Sequence, residues 1–228
     1  QESLLFHPKR HATVIRMRTG ATKDGRLTAV QSTIYGDGGA YASLSETVLA
    51  RATTHASGPD DVPRGKGDCL AAYTDDAPCG AFRGFGVSQS CFAVESNIDI
   101  LADELGMDPV ELRRKNTLDV GSVTCTGQTM RESVGLRECI DRVEADLRSD
   151  GFRWAWEEAG KSYAWGLGLA YKNTGFGGGA PDKATVEVEV WNDSIRGPMA
   201  EVRTSSAELG PGMPAVLAAC AAEEQGLP

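Results

Sequence analysis

Six apolar residues, Val87, Cys91, Val94, Ile98, Leu101 and Leu105, recur at steps of four, three, four, three and four. That spacing lines one stripe of an α-helix about five turns long, which must bury its stripe against a second layer. Gly106 suits a left-handed cap at the end of this helix. Asp108-Pro109-Val110-Glu111 then combines an N-cap acid, a first-turn proline and a glutamate three residues on, predicting a second, shorter helix.

The layer to be covered is expected from strands. Residues 12–19 and 26–35 alternate imperfectly in polarity around Thr22-Lys23-Asp24-Gly25. Asp-Gly between alternating runs predicts a β-hairpin. Gly36-Asp37-Gly38-Gly39-Ala40-Tyr41 is too glycine-rich for a stable strand and reads as a bend or close-approach loop. A third strand is expected over 67–74. After the long helix, Leu136, Ile140, Val143 and Leu147 mark an amphipathic helix from about Ser133 to Leu147.

From about residue 163 the pattern returns to strands. They are expected at Ala164 to Lys172, Thr185 to Trp191 and Met199 to Ser205, before a closing helix from Met213 to Glu224 with Pro214 in its first turn. Short strand pairs interleaved with helices predict an α+β fold of mixed layers, not a doubly wound parallel sheet. A junction is expected near 148–163, giving domains at 1–150 and 151–228.

Bulk charge narrows the partners. A net charge of −9 and a pI near 4.9 repel phosphate backbones and anionic membranes, so neither nucleic acid nor membrane is an expected partner. No apolar run approaches the roughly 18 residues of a membrane span. Gln1 to Phe6 has no signal-peptide pattern, and both ends of the chain read as cuts. The cysteines, at 69, 79, 91, 125, 139 and 220, form no C-x-x-C pair. They predict free, mostly buried thiols in a reducing, cytoplasmic setting, without zinc or iron–sulfur ligation. His7 and His11 stand four apart, but Pro8 argues against a shared helical face, and no metal ligand is expected in this segment.

The segment most able to carry chemistry is Cys79-Gly80-Ala81-Phe82-Arg83-Gly84-Phe85-Gly86-Val87-Ser88-Gln89. Its glycines permit close backbone approach, and it runs directly into a helix N-terminus, whose free N–H groups favour anions. Two aromatics bracket one arginine, giving a flat apolar wall with a positive fork. The spacing matches neither a phosphate-binding P-loop nor G-x-G-x-x-G. The alternative is a tight strand-to-helix turn with a surface arginine.

Ala81-Phe82-Arg83-Gly84-Phe85-Gly86, with Tyr73-Thr74 before it and Gln89 after it, resembles the Ala-Phe-Arg-Gly-Phe-Gly loop of molybdenum hydroxylases, the xanthine dehydrogenase and aldehyde oxidase family. The flanking motifs agree in order: Lys9-Arg10-His11, Gly20 to Gly25, Asp37-Gly38-Gly39-Ala40-Tyr41, Asp108-Pro109 and Arg114-Lys115-Asn116. Further on, Glu208-Leu209-Gly210-Pro211-Gly212 is similar to that family's Glu-x-Gly-Gln-Gly pterin loop.

The resemblance implies part of the large subunit, binding a molybdenum–molybdopterin (pyranopterin) cofactor, with 2Fe–2S clusters and FAD on other domains or subunits. It implies oxidation of an N-heterocycle of purine or nicotinate type, or an aldehyde, with water as the oxygen source. Phe82, Arg83 and Gly84 would lie beside the cofactor, and Leu209, Gly210 and Pro211 along its pterin. Phe85 would stack on substrate. Arg51 falls where purine-oxidising members carry a substrate-orienting arginine; its alternative is a surface or interdomain arginine. The family's general base and upstream glycine loops would fall outside these residues, so no catalytic residue is expected here. The partners would be the rest of the large subunit, the iron–sulfur and FAD subunits, and the small molecule. A non-catalytic remnant that keeps the fold without cofactor is the alternative. Two departures stand out: Pro211 replaces the family's glutamine, and Ser88 stands where proline is common.

Overall fold

Gly25, at φ 84°, lets the backbone turn between β1 (Thr13–Ala21) and β2 (Leu27–Asp37), which pair antiparallel as the alternation predicts. The computed structural model that shows this describes residues 2, 7–149, 153–175 and 181–226. β2 runs on through Gly36 to Asp37, further than its glycine content suggested. Packing explains the glycine: a Cβ at Gly36 would sit 2.4 Å from Leu49 Cδ1. Only a bare backbone lets that leucine reach the sheet.

Leu49 belongs to α1 (Ser45–Thr54), a helix the sequence did not announce. It crosses from β2 to β3 (Gly65–Ala72), which therefore pairs parallel to β2 and completes a sheet in the order β1-β2-β3. Ile34, Leu49, Ala52 and Ala56 form the core beneath this crossover.

The long stripe forms α2 (Val87–Leu105), capped by Gly106 at φ 61°. Val94, Ile98 and Ala102 pack on Leu27, Val30, Val62 and Leu112 in the larger core. Burying each large aliphatic side chain there contributes about 1.5–3 kcal/mol. α3 (Pro109–Asn116) starts as expected, with the Asp108 carboxylate accepting from Val110 N at 2.8 Å and Glu111 N at 3.2 Å. Its last residue ties two distant sequence motifs together. Asn116 donates to the carbonyls of Gly25 (2.8 Å) and Leu112 (2.9 Å) and accepts from Leu27 N (2.9 Å). Lys115 adds an ion pair to Asp24 at 2.8 Å. The Gly20–Gly25 and Arg114–Asn116 motifs thus lock the hairpin turn onto α3.

α4 (Leu136–Ser149) buries Ile140 against Val110 and Leu169, while Val143, expected on the same stripe, stays 44% exposed. Beyond it the strand reading changes. The strands are β4 (Ala155–Glu158) and β5 (Lys161–Ala164), a hairpin with Trp156 and Tyr163 stacked at 5.0 Å. Residues 165–172 form no strand. They run as an irregular segment held by Leu169, whose N–H donates to Glu95 Oε2 at 2.9 Å.

The chain clusters into two compact units, Gln1–Lys172 and Asn173–Pro228. In the second, β6 (Val186–Asp193) and β7 (Gly197–Thr204) pair antiparallel and α5 (Met213–Gln225) follows, all near the expected positions. The whole is α+β with mixed layers, as the pattern predicted. Among the described residues no helix is long and apolar enough to cross a membrane.

Candidate functional site

The approach to the glycine loop is fixed by the Asp37–Tyr41 motif. Gly38 N donates to Ala72 O (2.8 Å), Thr74 N to Gly39 O (3.2 Å), Ala40 N to Asp76 O (3.0 Å) and Cys79 N to Gly38 O (3.0 Å). A Cβ on Gly39 would lie 2.2 Å from Ala77 O, so close approach requires glycine there. The Asp37 carboxylate accepts from Thr74 Oγ1 (2.7 Å) and Gly39 N (2.8 Å), and these bonds hold its pKa below the ordinary aspartate value.

The loop itself contains three consecutive left-handed residues: Gly84 (φ 97°), Phe85 (φ 50°) and Gly86 (φ 94°). Phenylalanine in that region costs about 1–2 kcal/mol, a strain the surrounding contacts hold in place. Phe85 N donates to Phe82 O at 2.7 Å, and Val87 N to Gly84 O at 3.1 Å. Gly86 serves packing, since its Cβ would meet Val48 O at 2.1 Å; its bareness seats the loop against α1.

That contact brings Arg51 to the loop. Arg51 stands in the last turn of α1, is buried, and its guanidinium lies 5.3 Å from the Phe85 ring centre. Two further bases share this region. His55 meets the Arg51 carbonyl at 3.0 Å through Nδ1 and packs on Tyr171 with ring centres 4.9 Å apart. Burial, more than the Arg51 charge, lowers the His55 pKa; burial and then Arg51 lower that of Lys172. Arg51 and Lys172 therefore bring positive charge to this region, while burial keeps the His55 ring neutral near pH 7.

The N-terminus of α2 has no side-chain cap and no acid in its first turn. Among the described residues, the N–H groups of Arg83, Gly84, Ser88 and Gln89 meet no protein acceptor. These donors suit an electron-rich ligand edge. The Arg83 side chain is exposed, and Phe82 is 42% exposed.

Leu209, Gly210 and Pro211 lie in the second unit. There the N-terminus of α5 is occupied from within. The Glu208 carboxylate accepts from the N–H groups of Gly210, Gly212 (3.2 Å) and Met213 (2.7 Å). Sequence reasoning aimed these amides at a pterin edge and overlooked Glu208. An acid five residues before a helix start, across a glycine-rich loop, was the available signal.

Sequence reasoning also missed a buried ion cluster. Arg113, 1% exposed, donates to Glu95 Oε2 (2.8 Å) and Asp99 Oδ1 (2.7 Å). Glu95 follows Cys91 by four and precedes Ile98 by three, so a charged residue sat on the apolar stripe in plain view. Asp60, buried beside this cluster, has its pKa pushed up to about 8 by burial and then by Glu95, against the pull of Arg113.

His11 is buried on Ser45 Oγ at 2.8 Å, and the His7 ring packs edge-on to Phe82 at 6.5 Å. Among the described residues no three His, Cys, Asp or Glu side chains cluster as a metal site. All six cysteines are free, but only Cys79 is fully buried, and Cys139 and Cys220 are exposed. That corrects the expectation of mostly buried thiols: both lie on outward faces of amphipathic or solvent-covered helices. Of the second glycine-rich stretch, residues 176–179 lie outside the described residues.

Residues 1–117 match the family model of the molybdopterin cofactor-binding domain. The nicotinate dehydrogenase large molybdopterin subunit of Eubacterium barkeri is 46% identical over 143 residues, which is 63% of this chain and 34% of that protein. The aldehyde oxidoreductase of Megalodesulfovibrio gigas is 30% identical over 190 residues, 83% of this chain and 21% of that one. The solved aldehyde oxidoreductase from Desulfovibrio gigas superposes with a TM-score of 0.60 at 33% identity, over 62% of this chain and 16% of that one. This chain thus spans about a third or less of the length of these relatives. On the match of its first 117 residues, more than half its length, the chain belongs to the molybdopterin cofactor-binding domain family.

Proposed function

We propose that this chain forms part of the cofactor-binding large subunit of a molybdenum hydroxylase that oxidises an anionic N-heterocycle, with purines and aldehydes as the broader class. The observation that carries the proposal is the loop 82–86. Its left-handed backbone leaves the Arg83 and Gly84 N–H groups without protein acceptors at an uncapped helix N-terminus, beside the Arg51–Phe85 pair. On this reading Phe82, Arg83 and Gly84 hold the molybdenum end of the cofactor, and Leu209, Gly210 and Pro211 the pterin. When bound, the cofactor would supply the redox chemistry for hydroxylation with water as the oxygen source. The protein's share is orientation and charge complementarity.

Phe85 offers a flat apolar face to a heterocycle, and Arg51, with Lys172 near it, offsets a substrate carboxylate. The 46% identity to a nicotinate dehydrogenase subunit supports the carboxylated class over simple aldehydes. Residues 1–150 belong, on this proposal, to the first cofactor-binding domain and 151–228 begin the second. The remaining partners are the rest of the large subunit and iron–sulfur and FAD subunits, in the cytoplasm. The free thiols support that reducing setting.

The test is metal and pterin analysis of the chain purified with its co-expressed partner subunits. Molybdenum and pterin near one per chain are expected. Neither, in a folded complex, would favour a non-catalytic remnant instead.

A further inference from the structure

The segment ahead of β1 has no part in the reading above, yet it runs along the whole loop. Lys9 N donates to Pro78 O (3.0 Å), Gly80 N donates to Lys9 O (3.1 Å), and Lys9 bridges Cys79 in parallel. Next in line, Arg10 makes two contacts of different kinds. Its Nη2 donates to the Arg83 carbonyl at 2.6 Å, and its guanidinium covers the Phe82 ring at 4.6 Å. Its Nη1 is buried without a protein partner, and a Cβ built on Gly84 would lie 3.6 Å from it.

The bonded carbonyl is the informative one. The Arg83 C=O and the Gly84 N–H belong to one planar peptide unit and point in opposite directions. Fixing the oxygen therefore fixes the amide. Gly84 sits at φ 97°, where glycine tolerates either orientation of that plane. Nothing else among the described residues bonds either end of this peptide.

We propose that Arg10 is a positioning residue that sets the peptide plane between Arg83 and Gly84, gripping the carbonyl while its flat face pins Phe82. The consequence for cofactor binding rests on the proposed function; the clamp itself does not. A guanidinium is suited to the task because one planar group both donates in-plane and stacks out of plane. Lysine retains the charge and can reach the carbonyl, but it has no face to lay on the ring.

Amide hydrogen exchange on the full chain tests this, comparing Arg10→Lys and Arg10→Ala with the parent. The Phe85 and Val87 amides, bonded to Phe82 O and Gly84 O, should exchange about tenfold faster in Arg10→Ala, and less so in Arg10→Lys, while the β1–β2 amides keep their protection. Millimolar guanidinium should restore protection to Arg10→Ala at the loop alone. Unchanged loop exchange, or equal acceleration in loop and hairpin, would overturn the proposal; the second result would make Arg10 a general stabiliser. Molybdenum content of Arg10→Lys in the assembled complex is measured in parallel. A loosened loop with undiminished molybdenum would leave the clamp standing and count against the loop's proposed place beside the cofactor.

Discussion

The guanidinium of Arg51 lies 5.3 Å from the centre of the Phe85 ring, joining the last turn of α1 to the left-handed apex of the glycine loop. The two residues stand 34 apart in sequence and meet only because Gly86 carries no Cβ to hold the loop off Val48. One face of the ring is covered by a buried cation, so a planar substrate would stack on the other. On the proposed function, the same cation would offset a substrate carboxylate at the ring's edge.

This arrangement predicts separable effects in the assembled enzyme. Arg51→Met should weaken turnover of a carboxylated heterocycle by roughly 1.5–3 kcal/mol in kcat/KM, the range for hydrogen bonds to charged groups, and affect neutral aldehydes far less. Phe85→Ala should cost both classes about 1–3 kcal/mol through lost packing. Equal losses for acidic and neutral substrates in Arg51→Met would reduce Arg51 to a structural arginine.

The long helix, its glycine cap, the Asp108 start and the first hairpin were all legible because each rests on local rules of period and turn chemistry. α1 was not. Leu44 at its start offers no capping side chain, and its buried Val48, Leu49 and Ala52 give too short a stripe to register against Thr47, Thr53 and Thr54. Missing that crossover concealed the parallel pairing of β3. The β4–β5 turn was hidden differently: Ala159 and Gly160 both adopt positive φ, and Ala-Gly is not the usual residue pair for such a turn. At the site, the loop was readable from its glycines. Its support was not, because Arg10 reaches the Arg83 carbonyl and the Phe82 ring through contacts that no spacing encodes.

Arg113 gives a stability prediction. It is the buried partner of Glu95, which also accepts from Leu169 N and so anchors residues 165–172. Arg113→Met leaves the Glu95 carboxylate buried and unpaired, which should cost about 3–5 kcal/mol in urea unfolding. Adding Glu95→Leu should recover part of that loss, although Leu169 N then lacks its acceptor. A double variant no more stable than Arg113→Met would show that the uncompensated charge is not the cause.

Asp60 gives a pH dependence. Unfolded aspartate titrates near 3.9, whereas burial pushes Asp60 up to about 8. Between those values the native state holds one more proton than the unfolded state. This contribution is therefore greatest below about pH 4, declines as pH rises, and is gone above about 8. The slope is at most about 1.4 kcal/mol per pH unit. Asp60→Asn keeps the shape and removes the titration, so its stability relative to the parent should rise between pH 6 and pH 8. Parallel urea midpoints across that range would sink the idea.

Pro211 interrupts a cradle that the chain builds for itself. Glu208 gathers the N–H groups of Gly210, Gly212 and Met213, and the one residue skipped between them is the proline, which has no N–H to give. The loop shape thus survives the substitution, because its internal acceptor never needed a donor at 211. What proline removes is a donor for something outside the loop. A glutamine there adds a backbone N–H and a side-chain amide, and the Glu208 oxygens are already shared among three donors. On the proposed function, Pro211→Gln should strengthen pterin binding by roughly 1–3 kcal/mol, if the facing acceptors are desolvated. The variant should also lose about 0.4–1 kcal/mol of stability, because proline restricts the unfolded chain. The measurement is molybdenum and pterin per protein after dialysis of the assembled complex, beside a thermal melt. Higher cofactor content at a slightly lower Tm is the expected pair. Unchanged or lower content would mean that water fills the position as well as an amide does, and that residue 211 does not limit retention.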